Sequence, residues 1–347
     1  MSNIADIDKN FKIETNITKS DIQFHSSLSH PFSIHGVFYD KGKFRRMPEE
    51  VASSVSNGVL ALHSNTAGGR IRFRTDSPYI AISAKMPNMG KMSHFALCGS
   101  AGFDLYINGL HAHSYQPPFH ATDGYEGIAD NLGTDLKEIV INFPLYSEVS
   151  ELYVGLKEGA AVLEPTPYSI EKPIVFYGSS VTQGGCASRP GTAYQGFISR
   201  ELDADFINLG FSGNARAEEN MYNYIKGLDM SVFVMDYDYN APDEEYLIRT
   251  HEKMFLAIRE AQPELPIVLM SAPRAILSPS MQRRRHTIET TYKNALEKGD
   301  KNVYFIDGPA LMEICGDEGT VDMTHPTDLG FFSMATALCK VLKKIFA

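Results

Sequence analysis

Cysteine is scarce in this chain: its 347 residues hold four, Cys98, Cys186, Cys315 and Cys339, with no Cys-x-x-Cys pair among them. That spacing excludes a disulfide framework and a zinc knuckle, and it predicts reduced thiols of the kind found in a cytoplasmic protein. Positive charge is also short. Against 42 Asp and Glu there are 32 Lys and Arg, a formal net charge of −10, so the averaged field repels phosphate backbones and anionic lipid head groups. The one basic run, Arg283, Arg284 and Arg285, falls in a polar helical stretch and reads as a solvated face. No uninterrupted apolar run approaches the roughly 18–20 residues that span a bilayer. Met1 to Lys12 mixes charged and isolated apolar residues, unlike a signal peptide. The expectation is a cytoplasmic protein with neither nucleic acid nor membrane as partner; a homo-oligomer is compatible with the sequence. Internal repeats and low-complexity tracts are absent as well.

What is present is the composition of a well-packed globular protein, 43% hydrophobic and 21% charged. Its length exceeds the roughly 250–300 residues at which single cores stop growing, so two domains are expected. From about residue 32 to 156 the apolar pattern has period two. Ile71 and Phe73 alternate with arginines, Phe103, Leu105 and Ile107 with Asp104 and Tyr106, and Ile139, Ile141 and Phe143 precede Leu152, Val154 and Leu156. These read as half-buried strands of an antiparallel sandwich. Asn108-Gly109 between two such runs predicts a tight hairpin, because a type I′ turn needs positive φ at both central residues. Past the Pro-spaced linker Glu164-Pro165-Thr166-Pro167 the pattern changes. Short apolar strands at 174–177, 205–209, 232–236, 266–271 and 303–306 alternate with helical periodicity, which argues for an α/β doubly wound parallel sheet. The expected division is 1–168 and 169–347.

In open parallel sheets ligands bind beyond the carboxyl ends of the strands. Four such positions carry polar residues of catalytic type. Gly178-Ser179-Ser180-Val181-Thr182-Gln183-Gly184-Gly185 follows the first strand; alone, it serves equally to cradle a phosphate or turn the chain. Asn208-Leu209-Gly210-Phe211-Ser212-Gly213-Asn214 follows the second and offers backbone donors. Asp238-Tyr239-Asn240 follows the third; Asn240 is either an amide donor or a cap for the helix entered at Pro242. Asp322-Met323-Thr324-His325-Pro326 follows the last strand, and its three-residue separation lets one turn aim the carboxylate at Nδ1 of the imidazole, leaving Nε2 free to take a proton.

Serine, glycine, asparagine and Asp-x-x-His-Pro in this order, each just after its own strand, resemble the SGNH/GDSL hydrolases over the second half of the chain. The resemblance implies a flavodoxin-like sheet behind a jelly-roll-like sandwich. It makes Ser180 the nucleophile, His325 its general base and Asp322 the orienting acid, with an oxyanion hole from Ser180 N–H, Gly213 N–H and the Asn240 amide. No cofactor or metal is implied. Two positions depart from the family pattern: Ser179 stands where an acidic residue often precedes the nucleophile, and the third block reads Asp238-Tyr239-Asn240-Ala241. With a β-rich domain in front, the chain is similar to two-domain carbohydrate deacetylases. A serine esterase acting on short-chain, above all acetyl, esters of a small molecule or oligosaccharide is expected. The alternatives are an acyltransferase with the same triad and a non-catalytic carbohydrate-binding protein.

Other features carry less. His111 and His113 on one strand face, with His94 and His120 near in sequence, read as surface histidines rather than a metal site. Cys186 and Arg189 are candidates for the pocket mouth. Gly99-Ser100-Ala101-Gly102 reads as a flexible cover over the site or as a plain hairpin connection.

Overall fold

The computed structural model describes residues 17–347; the segment Met1 to Lys12 lies outside the described residues. Twelve strands form the antiparallel part: β1 (Ile22–Ser26), β2 (Ser33–His35), β3 (Phe38–Asp40), β4 (Lys43–Arg45), β5 (Arg70–Thr75), β6 (Ile80–Lys85), β7 (Phe103–Ile107), β8 (Leu110–Tyr115), β9 (Gly124–Ala129), β10 (Lys137–Asn142), β11 (Glu151–Lys157) and β12 (Val162–Leu163). They make a four-stranded sheet, β1-β11-β6-β9, facing a sheet ordered β12-β5-β10-β7-β8 with β2 added to β5, and a small β3-β4 ribbon. The alternating apolar residues converge between the two sheets: Ile71, Phe73, Phe103, Leu105, Ile139, Ile141, Phe143, Leu152, Val154 and Leu156 share one buried cluster. Asn108 and Gly109 have φ of 50° and 80°, the primed turn that the β7–β8 hairpin requires.

The other face of the larger sheet departs from the half-buried expectation. Asp104 and Tyr106 are buried, as are Arg70 and Arg72, because this face is covered by the rest of the chain rather than by water. Asp104 accepts the Gly191 N–H at 2.8 Å. Tyr106 lies under the Arg200 guanidinium, 4.3 Å from its centroid, and Arg70 pairs with Asp205 while stacking on Phe206.

The parallel part contains β13 (Ile170–Gly178), β14 (Ala204–Gly210), β15 (Val232–Asp236), β16 (Ile267–Met270) and β17 (Val303–Ile306). Every pairing is parallel and the spatial order is β14-β13-β15-β16-β17, the flavodoxin-like 2-1-3-4-5 arrangement. Ile174, Val175, Phe176 and Tyr177 of the central β13 are fully buried, as expected for a strand with helices on both faces; each contributes on the order of 2 kcal/mol by leaving water. Two apolar clusters flank the sheet, one on each side. The chain crosses from one edge direction to the other between β13 and β15, whose last residues Gly178 and Asp236 are paired. The crevice of this fold therefore opens beside the segment that starts with Ser179.

Two expectations need correction here. The helix after β15 runs from Glu244 to Ala261 and is capped by Asp243, whose side chain accepts the Tyr246 N–H, so Asn240 is not its cap and Pro242 precedes the helix. Within the helix Pro279–Glu297 the three arginines are not a plain solvated face: Arg283 pairs with Glu244, Arg284 with Asp238 and Arg285 with Asp307.

Candidate active site

Ser180 opens a one-turn helix, Ser180–Gln183, directly after β13, with Ser179 as cap and Gly184 ending it at φ 100°. At the first position of a helix the backbone N–H has no intrahelical partner, so it stays available to a ligand. The Ser180 hydroxyl lies 2.9 Å from His325 Nε2, across 145 residues of sequence. The other ring nitrogen, Nδ1, lies 2.8 Å from Asp322 Oδ2. Asp322 Oδ1 accepts the backbone N–H groups of His325 at 2.8 Å and Thr324 at 3.1 Å. Partial burial would raise the Asp322 carboxyl, but these two N–H groups and the facing ring outweigh it and hold the group at about 2. An ionised carboxylate only accepts, so Nδ1 carries the proton and Nε2 is left to accept the Ser180 O–H. Ser180 is 8% exposed, while the side chains of His325 and Asp322 are 23% and 39% exposed. The hydroxyl thus sits at the floor of an open site whose acid faces solvent.

The Asp322 loop is held from outside. Met323 adopts φ 66°, a left-handed conformation that a side chain disfavours, and its carbonyl accepts Arg274 Nη1 at 2.6 Å while its N–H donates to the Thr320 hydroxyl at 3.1 Å. Arg274 is itself fixed by Asp317.

Gly213, in the loop after β14, has φ 71° with open space where a Cβ would stand; the glycine serves the backbone conformation and not a close approach. Asn240 follows β15, and its Oδ1 accepts the Ala215 N–H at 3.2 Å. That contact ties the two loops together and leaves the amide N–H groups as the donor end of Asn240. Beneath it, Asp238 accepts Ala272 N–H at 2.9 Å and Arg284 Nε at 2.8 Å, and Arg284 also reaches the Asp238 and Ala241 carbonyls. Asp236, sealed under the nucleophile turn, is pushed up to about 8 by burial, with the Asp238 charge adding to it; it accepts the Thr182 hydroxyl at 2.9 Å.

The GDSL-like lipase/acylhydrolase family model matches residues 171–343, and the model for the N-terminus of SGNH-hydrolase-type esterases matches residues 22–162. The chain belongs to the GDSL-like lipase/acylhydrolase family. Its enzyme class is accordingly that of ester hydrolases. Among solved structures, a protein described as a GDSL-like lipase from Bacteroides ovatus is 29% identical, with TM-score 0.83 over 94% of this chain and 98% of that one. The fold is also shared with the salicylyl-acyltransferase of a tetracycline biosynthetic pathway (20% identity, TM-score 0.76, 95% and 99% covered). An acetyl xylan esterase from the rumen bacterium Butyrivibrio proteoclasticus has it too (14% identity, TM-score 0.61, 94% and 99% covered). No curated protein matches the sequence.

In this GDSL-type chain the antiparallel part reaches the site through residues that sequence reasoning missed. Arg46 is buried and meets no carboxylate. It donates to the carbonyls of Asn65 (2.7 Å), Leu62 (2.7 Å), Asn208 (3.2 Å) and Gly210, and its guanidinium stacks 4.7 Å from the Phe211 centroid; burial pulls it down to about 9. It therefore fixes the strand end from which the Gly213 loop departs. Gln183 accepts the Ser212 N–H and donates to Asn65 and Leu145, joining the nucleophile turn to the same loop. Tyr146 O–H donates to the Ser180 carbonyl at 3.3 Å. The Gly99 stretch is neither a flexible cover nor a hairpin: residues Leu97–Ser100 form a helical turn, and a Cβ on Gly99 would stand 2.0 Å from the Ala187 carbonyl. Arg189 lies 3.7 Å from buried Asp104, whereas Cys186 stands beside His94 and His325. His111 bonds Ser114 on the exposed hairpin. The sequence carries a signal only for the covered face of the larger sheet, the charged residues Arg70, Arg72 and Asp104 in otherwise apolar strands, which mark a covered face as well as a wet one. No helix among the described residues is long and apolar enough to cross a membrane.

Proposed function

We propose that this protein is a serine esterase that removes short acyl groups, acetyl above all, from a carbohydrate hydroxyl through an acyl-enzyme. The observation that carries the reading is the 2.9 Å contact of Ser180 Oγ with His325 Nε2, with Asp322 on the far side of the ring. His325 takes the hydroxyl proton as Oγ attacks the acyl carbon. The oxyanion lies against the N–H groups of Ser180 and Gly213 and the Asn240 amide. The imidazolium returns its proton to the leaving alkoxide, and a water activated by the same ring then releases the acid. The open site suits an acyl group displayed on a bulky alcohol. The likeness in fold to an acetyl xylan esterase points to a sugar as that alcohol. In the same reading residues up to 168 form the supporting domain and those from 169 the catalytic one.

A second reading has one observation behind it: the salicylyl-acyltransferase shares the fold over 95% of this chain, so the acyl-enzyme is proposed as open to an alcohol acceptor as well. Both are tested by following acid release from acetylated oligosaccharides and aryl esters of increasing chain length, with and without added alcohol. Acetate release that disappears in Ser180→Ala is the expected result. Transfer exceeding hydrolysis moves the assignment to acyltransferase, and wild-type-like turnover by Ser180→Ala overturns the triad.

A further inference from the structure

His94, Cys186 and His325 each present a donor atom such that all three lie within 4.8 Å of one another, the only such group of His, Cys, Asp and Glu found among the described residues. They come from three separate places: the connection after β6, the turn after the nucleophile helix, and the loop that carries Asp322. The rings of His94 and His325 face each other at 5.7 Å between centroids. Cys186 is buried and adopts φ 75°, a left-handed backbone that disfavours a side-chain-bearing residue. Nδ1 of His325 is taken by Asp322, so the nitrogen left for this group is Nε2, the atom that meets Ser180.

We propose that these three residues form an inhibitory site for a thiophilic divalent cation, Zn²⁺ in the first instance. One thiolate and two imidazoles are the donor set that zinc selects, with metal–sulfur and metal–nitrogen bonds of about 2.3 and 2.0–2.1 Å. Donors around one tetrahedral ion lie within about 4 Å of each other, so a small inward rotation closes the set. His94 is exposed and free to make that rotation. Asp322 supplies the carboxylate that holds the second nitrogen of a metal-bound histidine and raises its basicity. On binding, the Cys186 thiol proton leaves to solvent as the sulfur–metal bond forms, and the fourth position falls to water. The ion occupies the lone pair of Nε2 that would otherwise accept the Ser180 proton, so a zinc-loaded site has no general base. The metal is an inhibitor here and takes no part in turnover.

The inhibition rests on the esterase reading above, and the experiment separates the two. The full chain is titrated with Zn²⁺ while aryl acetate hydrolysis is followed, and separately with Co²⁺ while the thiolate-to-metal charge-transfer band is recorded. Chelator-reversible inhibition is expected. Cys186→Ala and His94→Gln should each raise the half-inhibiting Zn²⁺ concentration about 10- to 100-fold, read against that variant's own metal-free rate. The cobalt band should vanish in Cys186→Ala and persist in Ser180→Ala. Cys186→Gly, which suits the left-handed backbone, replaces the alanine variant if that one folds poorly. Inhibition unchanged in both ligand variants, or no thiolate–cobalt band in the parent, overturns the site. A cobalt band in a chain that hydrolyses no ester supports the metal site and sinks the esterase reading instead.

Discussion

The two parts of this molecule use polar residues in opposite ways. In the parallel part they follow strand ends, from nearly buried Ser180 to exposed Asp322, and side chain meets side chain: Ser180 with His325, and His325 with Asp322. In the antiparallel part they are buried on the covered face of one sheet or just beyond it, and what they touch is mostly backbone. Arg46 spends its donors on four carbonyls, and Asp104 accepts the backbone N–H of the turn at Gly191 besides the Asn142 side-chain amide. A charge with its bonds made to backbone does no chemistry, but it fixes where a loop begins. In the proposed mechanism one part thus supplies reactive atoms and the other supplies their coordinates.

That contrast can be broken experimentally. The largest effect after loss of the nucleophile is expected from the reactive side: Asn240→Ala removes one oxyanion donor and should lower kcat on the order of 10²–10³-fold with little change in melting temperature. A loss below about fivefold would remove Asn240 from the oxyanion role. On the positioning side, Gly99→Ala puts a methyl group 2.0 Å from the Ala187 carbonyl, displacing the turn behind Ser180 from the opposite part of the molecule. A misplacement of about 1 Å is enough to cost up to 10²-fold in rate, so kcat/KM should fall about 10- to 100-fold although residue 99 meets no substrate. Unchanged kinetics would show that the antiparallel part is only a passenger.

The smallest effect sharpens the comparison from below. Asp236 is a buried carboxyl raised to about 8 by burial, so the folded state holds its proton where the unfolded chain has released it. Its contribution to stability is complete below the unfolded value near 3.8 and is lost as pH rises toward about 8. Asp236→Asn, neutral and of the same shape, should flatten that decline and raise the melting temperature by a few degrees at pH 8, with none at pH 4. A parent whose stability does not fall between these values would show that Asp236 is not protonated in the folded state.

The same contrast explains what was legible in the sequence. The parallel strands declare themselves as short apolar runs, and the fold rule that ligands lie past their carboxyl ends turns a one-dimensional pattern into a site. Three of the five strand assignments need only one to four residues added or removed at their ends, and β15 and β17 need none. The Asp322–His325 pairing is local, three residues apart. The Ser180–His325 contact is not, and it was reachable only because both residues follow strands of one sheet. The contributions of Arg46, Tyr146 and Gly99 depend on how two sheets of unlike architecture are placed against each other. No periodicity encodes that placement. Asp104 and Tyr106 show the ambiguity most plainly: alternation tells inside from outside of a sandwich, but whether the outside meets water or another layer is a tertiary fact. Asn240 shows a related one, since an Asn shortly before a Pro-led helix has the look of a cap, and only Asp243 taking that place frees it.

The Ser180–His325 contact spans 145 residues, and the chain is built from the amino end. At ribosomal speeds of about 5–20 residues per second the hydroxyl emerges on the order of 10 s before the ring that deprotonates it in the proposed mechanism. Through that interval the nascent polypeptide carries a serine of ordinary alcohol reactivity, so acyl esters in its surroundings are safe from it until translation has passed the imidazole.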